Sequence, residues 1–133
     1  MTMIKNGGVL EKIFLVALGG SLGALSRYGI TILSARLFSD RFPAGTLIVN
    51  LTGCFLIGLM FSLGSERNII SPLFRLFFIT GFLGALTTFS TYGIESVNFA
   101  RNGMLDVSLL NILLNNIAGF LLVFMGLWAG RSI

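Results

Sequence analysis

Charge is missing from three long stretches of this chain, and their lengths constrain its fold more than any other feature. Positions 42–65 hold 24 residues without Asp, Glu, Lys or Arg, positions 107–130 another 24, and positions 76–94 a further 19. About 20 apolar residues in a helix cross the roughly 30 Å hydrocarbon core of a bilayer. A fourth stretch, near Ile13 to Ala35, has the same length and contains a single charge, Arg27. The pattern predicts an all-α membrane protein with four transmembrane helices, at about 13–35, 43–64, 74–99 and 107–130, in one domain over 1–133.

Composition removes the competing classes. Only 11% of the residues are charged and 55% are hydrophobic, whereas a soluble domain carries charge at roughly a quarter of its positions. Four crossings in 133 residues leave almost nothing for a soluble domain, so the function is expected inside the membrane. Lys5 and Lys12 ahead of an apolar run imitate a secretory signal. No small-x-small cleavage pattern closes that run, and the helical pattern continues past Arg27 to Leu33, so it reads as a true first span. There is no histidine, and the one cysteine, Cys54, lies mid-span. That excludes imidazole ligands and an intrachain disulfide. No nucleophile stands beside a base, so the chain is not read as an enzyme.

The loop arginines, within a net charge of +4, speak to membrane orientation and not to nucleic-acid binding. Lys5, Lys12, Arg67, Arg75 and Arg131 fall on one side, Arg36, Arg41 and Arg101 on the other, a bias of five to three. Two readings follow: an ordinary protein with both termini inside, or a chain that inserts both ways and pairs with its inverted copy. The loops are short: Ser39-Asp40-Arg41-Phe42-Pro43, Ser65 to Pro72, and Arg101-Asn102-Gly103, whose glycine suits a helix C-terminus. No internal repeat is visible, so any two-fold symmetry must come from oligomerisation. Gly19 with Gly23 and Gly126 with Gly130 are small-xxx-small pairs, read as points of close helix packing.

The polar residues inside the spans carry the functional signal. Arg27 shares a helix face with Gly20 and Gly23. A charge at membrane depth costs about 2.5 kcal/mol or more, so it serves either assembly or the attraction of an anion. Thr46, Asn50 and Gly53 form one stripe in the second span, where the Asn50 amide either donates to an anion or bonds a neighbouring helix. The fourth span carries Asn111, Asn115 and Asn116, with Ser108 on the face of the first two. These amides suit a polar pathway or a subunit interface. The third span is the most unusual. Gly81 to Glu95 reads G-F-L-G-A-L-T-T-F-S-T-Y-G-I-E, with glycines and hydroxyls where a lipid-spanning helix would be mostly aliphatic. Gly81 and Gly84 before Thr87 and Thr88 disfavour a continuous helix, and an unwound turn exposes carbonyls that can hold a cation. Beyond that break Phe89 and Tyr92 lie one turn apart, and the rim of an aromatic ring is electropositive.

Together, G-G-S-L-G-A-L-S-R-Y (Gly19 to Tyr28), G-T-L-I-V-N-L-T-G (Gly45 to Gly53) and the third-span stretch resemble the Fluc family of fluoride channels, also called CrcB. The resemblance runs in order over nearly the whole chain. It implies an antiparallel, dual-topology homodimer of four-helix subunits, with a break in the third helix and two fluoride pores along the subunit interface. It implies a bacterial inner-membrane channel that exports fluoride passively and protects the cell from its toxicity. It also implies a structural sodium ion at the dimer centre, held by the backbone carbonyls that match Gly84 and Thr87. The pore residues implied are Asn50, Phe89, Thr91, Tyr92 and, in the fourth span, Asn116. Arg27 and Glu95 match residues of the pore entrance or assembly. Two features depart from the family pattern. Tyr92 replaces a more usual phenylalanine, and the fourth span is rich in asparagine where serine is common.

Two alternatives share this architecture. A small dual-topology, proton-coupled multidrug exporter needs a titratable carboxylate at membrane depth, and only Glu95 comes near one. A non-conducting subunit of a heterodimeric fluoride channel would find its support in the asparagines of the fourth span.

Overall fold

The structure, a computed structural model, describes residues 8–39 and 41–133. Lys5 of the orientation count and Asp40 of the first loop lie outside the described residues. Among the described residues four helices are long and apolar enough to cross a membrane: α1 (Val9–Leu37), α2 (Ala44–Glu66), α3 (Pro72–Arg101) and α4 (Leu105–Ser132). They run past the charge-free stretches and take in Glu11, Arg75, Asp106 and Arg131 at their ends. Hydrogen bonding along a helix does not stop where hydrocarbon gives way to water.

Local chemistry sets the turns. Pro72 opens α3, where its missing N–H costs nothing, and the Ser71 hydroxyl accepts from the Phe74 N–H at 3.2 Å. Between α3 and α4, Gly103 takes φ +80°, a conformation that favours glycine, and the Met104 N–H closes back on the Phe99 carbonyl at 2.9 Å.

Glycines bring the helices together in two pairs. α1 lies against the first half of α3, with Gly19 on the Phe77 carbonyl and Gly23 on the Phe82 carbonyl. α2 lies against the second half of α4, with Gly58 on the Val123 carbonyl and Gly126 on the Phe55 carbonyl. A Cβ at any of these four would overlap backbone. Lipid offers no hydrophobic force between helices, so this closeness of approach, with its dispersion contacts, does the holding. The second half of α3 packs on the first half of α4.

The interior inverts the soluble pattern. Among the described residues, Val49, Leu83 and Leu86 are the buried hydrophobic ones, against seven buried polar ones: Ser34, Thr46, Ser62, Thr88, Ser96, Ser108 and Asn111. Large apolar side chains such as Leu25, Phe120, Phe124 and Trp128 cover the outside. Water would drive these outward-facing groups in, and a bilayer does not. Three stretches, Ser62–Glu66, Leu76–Leu83 and Leu114–Ala118, have π-helical turns, a geometry often found beside functional sites.

Candidate functional site

Thr87 and Thr88 have extended backbone, with φ/ψ of −82°/156° and −150°/116°, between the helical residues 84–86 and Phe89–Arg101. The hydrogen-bond ladder changes partners there. The Thr88 N–H donates to Asn50 Oδ1 at 2.8 Å, and the Thr91 N–H donates to Thr88 Oγ1 at 3.2 Å. In an unbroken helix those two N–H groups would donate to the carbonyls of Gly84 and Thr87. Both carbonyls are therefore without their usual helical donors.

Asn50 holds this segment from α2. Its Nδ2 donates to the Thr88 carbonyl at 3.1 Å while its Oδ1 takes the Thr88 N–H, so one amide satisfies both backbone groups of one residue. The second Nδ2 hydrogen goes to Asn115 Oδ1 at 2.8 Å. The whole Thr46–Asn50–Gly53 stripe faces α3: Thr46 Oγ1 donates to Glu95 Oε1 at 2.7 Å, and Gly53 makes room for the Thr87 methyl. Of the two readings of Asn50, the interhelical bond is the one this geometry contains.

Around the extended pair lies an open-sided groove of about 390 Å³. Asn50, Gly84, Thr87, Phe89, Tyr92 and Asn116, all named from the sequence, line it. So do Cys54, Thr88 and Asn115, which were not named as site residues. Among the described residues, no Asp, Glu, Lys or Arg lines it. The Phe89 ring is 81% exposed and meets Tyr92 edge-on, with centroids 5.5 Å apart at 69°. The Tyr92 oxygen accepts from Asn116 Nδ2 at 3.0 Å, which leaves the phenol's own hydrogen for the groove.

Three sequence-named residues lie elsewhere. Thr91 is exposed, its hydroxyl accepting from Thr88 Oγ1 at 2.9 Å, and it does not line the groove. Glu95 lines a second cavity of about 260 Å³ with Thr31, Ser34, Thr46 and Phe99, and its Oε2 is buried without a partner. Arg27 is half-buried on α1 and lines neither cavity. Asn111 and Asn115 were visible in sequence as a polar i, i+4 pair, but their connection to Ser96 needed the packing of α3 on α4.

The chain is similar to known proteins over most of its length. Residues 14–127 match the family described as CrcB-like protein, Camphor Resistance (CrcB). The chain is 44% identical over 121 residues to a protein of Dehalococcoides mccartyi named fluoride-specific ion channel FluC, covering 91% of this chain and 93% of that one. Proteins of the same name from Salinibacter ruber (45% over 115 residues, 86% of each chain) and Maridesulfovibrio salexigens (42% over 124 residues, 93% and 98%) are also similar.

Proposed function

The chain belongs to the CrcB-like protein family, and on that premise we propose that it is a fluoride-selective ion channel, not an enzyme, through which fluoride leaves the bacterial cytoplasm. The observation that carries the proposal is the groove beside Thr87 and Thr88, lined by the aromatic residues Phe89 and Tyr92, by threonines and by asparagines among aliphatic side chains, with no Asp, Glu, Lys or Arg of the described residues in its lining.

Fluoride is small and strongly hydrated, so a selective path has to replace its water. The Phe89 and Tyr92 rims present positive ring edges, and the Tyr92 hydroxyl supplies a hydrogen. Dipoles of this kind attract an anion without the deep well that an arginine would create, and an ion must leave as readily as it enters. Asn50 is already committed to Thr88 and Asn115, so an ion at its amide competes with them. A negative-inside potential drives the anion outward without a coupling ion. The carboxylate that a proton-coupled exporter needs is absent from the groove, since Glu95 lines the other cavity.

We assign the channel to the inner membrane as an antiparallel dimer of two copies. Ser90, Thr91 and Asn116 are polar and exposed in the middle of apolar helices, where bare contact with lipid is unfavourable. A second copy closing the groove relieves that exposure. The carbonyls of Gly84 and Thr87, relieved of their helical donors, fit a sodium ion at the centre of such a dimer. When bound, the ion supplies positive charge to those oxygens and ties the copies together.

The test is fluoride efflux from liposomes containing the purified protein. Fast electrogenic efflux, with chloride excluded, is expected. Phe89→Ile is expected to abolish it while the dimer still elutes intact, because an exposed ring contributes little to the fold. Equal rates for chloride and fluoride, or an unaffected Phe89→Ile variant, would refute the proposal.

A further inference from the structure

We propose that Asn115, Asn111 and Ser96 form a positioning relay that fixes the Asn50 amide and so holds Thr88 extended, with Asn111 and Ser96 acting from outside the groove. The inference rests on the channel reading only for its consequence on flux.

The hydrogen bonds run in one direction. Asn50 Nδ2 donates to Asn115 Oδ1 at 2.8 Å, and Asn115 Nδ2 donates to Asn111 Oδ1 at 2.9 Å and to the Asn111 carbonyl at 3.0 Å. Asn111 Nδ2 donates to Ser96 Oγ at 2.9 Å, and Ser96 Oγ donates to the Tyr92 carbonyl at 2.9 Å. The chain leaves α3 at Thr88, crosses α2 and α4, and returns to α3 at Tyr92. Both ends are backbone groups, which cannot flip: the Thr88 N–H and carbonyl at one, the Tyr92 carbonyl at the other.

An asparagine amide has two orientations of nearly equal shape, and only its neighbours choose between them. Were Asn50 reversed, its NH2 would face the Thr88 N–H and its oxygen would face the Thr88 carbonyl. Were Asn115 reversed, two NH2 groups would meet at Asn50. Each link thus enforces the next, and Asn111, fully buried, is the pivot. The Ser108 hydroxyl donating to the Ser96 carbonyl at 2.7 Å braces the far end. Amides in apolar helices are costly unless each is satisfied, and for Asn50, Asn115 and Asn111 the satisfaction is sequential. Asn111 and Ser96 do not line the groove, so their effect on an ion passes through Asn115 and Asn50, which do.

The experiment uses the intact chain with Asn111→Leu, Asn50→Ala and the double variant. Hydrogen exchange of the backbone around Thr87 to Ser90 is measured in detergent, and fluoride efflux in liposomes. Asn111→Leu removes two side-chain links, so exchange at Thr88 is expected to quicken about tenfold. In the Asn50→Ala background the same substitution is expected to add less than about twofold, because the link is already cut. Efflux is expected to fall in parallel and with the same non-additivity. Unchanged exchange in Asn111→Leu, or effects that multiply in the double variant, would overturn the relay. Ser96→Ala, a smaller change at the next link, gives the same reading if Asn111→Leu does not fold. Exchange that behaves as expected in a protein without fluoride flux would uphold the relay and refute the channel function alone.

Discussion

Replacing Thr88 by valine tests the site at its smallest part. Valine keeps the shape and the preference for extended backbone and removes only the hydroxyl. That hydroxyl accepts from the Thr91 N–H at 3.2 Å and donates to Thr91 Oγ1 at 2.9 Å. The first contact caps the helix Phe89–Arg101, and losing such a cap costs about 1 kcal/mol. The second is a neutral side-chain bond, also worth about 1 kcal/mol. Together they predict a loss of about 2 kcal/mol, a shift of roughly thirtyfold in the folded-to-unfolded ratio. The uncapped Thr91 N–H is then free to turn to the Thr87 carbonyl, one of the two oxygens assigned to sodium. Thermal or denaturant unfolding in detergent reads the stability, and its dependence on sodium concentration reads the carbonyl. Thr88→Val is expected to unfold earlier and to respond less to sodium, and Thr88→Ser to restore most of both. A Thr88→Val protein as stable and as sodium-responsive as the parent would refute the reasoning.

Other consequences are equally direct. Gly126→Ala puts a Cβ onto the Phe55 carbonyl and forces α2 from α4, so a loss of about 1–3 kcal/mol is expected in unfolding experiments. Tyr92→Phe removes the phenol hydroxyl from the groove and leaves Asn116 Nδ2 one acceptor short, so fluoride efflux should slow severalfold at unchanged selectivity over chloride. Replacing sodium by a large organic cation should lower the thermal midpoint of the proposed dimer, read by unfolding in detergent.

The four long apolar helices were legible because excluding charge from hydrocarbon leaves a mark in any sequence that crosses it. So were the points of close packing at Gly19, Gly23, Gly126 and Gly130. Which helix each glycine would meet was not legible, since the outward faces are as apolar as the packed ones. The stripe Thr46, Asn50 and Gly53 could be seen as a stripe, but its partners, Thr87, Thr88 and Glu95, lie 34 to 49 residues further along the chain. Asn115 lines the groove while Thr91 does not, which helical spacing alone did not reveal. Asn115 falls in the π-helical turn Leu114–Ala118, where wider turns change the phase at which α4 meets α2.

One economy of bonding links the fold to the proposed ion path. Two extended residues inside a membrane helix create backbone groups that lipid cannot satisfy. Asn50 answers both groups of Thr88, and the Thr88 hydroxyl answers Thr91. The bonds made by the Thr88 and Thr91 N–H groups withdraw those donors from the carbonyls of Gly84 and Thr87, so stabilising the extended pair and freeing two carbonyl oxygens are the same event. The rings of Phe89 and Tyr92 start the helix that follows, and their placement depends on the same cap. A substitution that mended the ladder across Thr87 and Thr88 would make α3 a better helix and, by the same stroke, remove the groove.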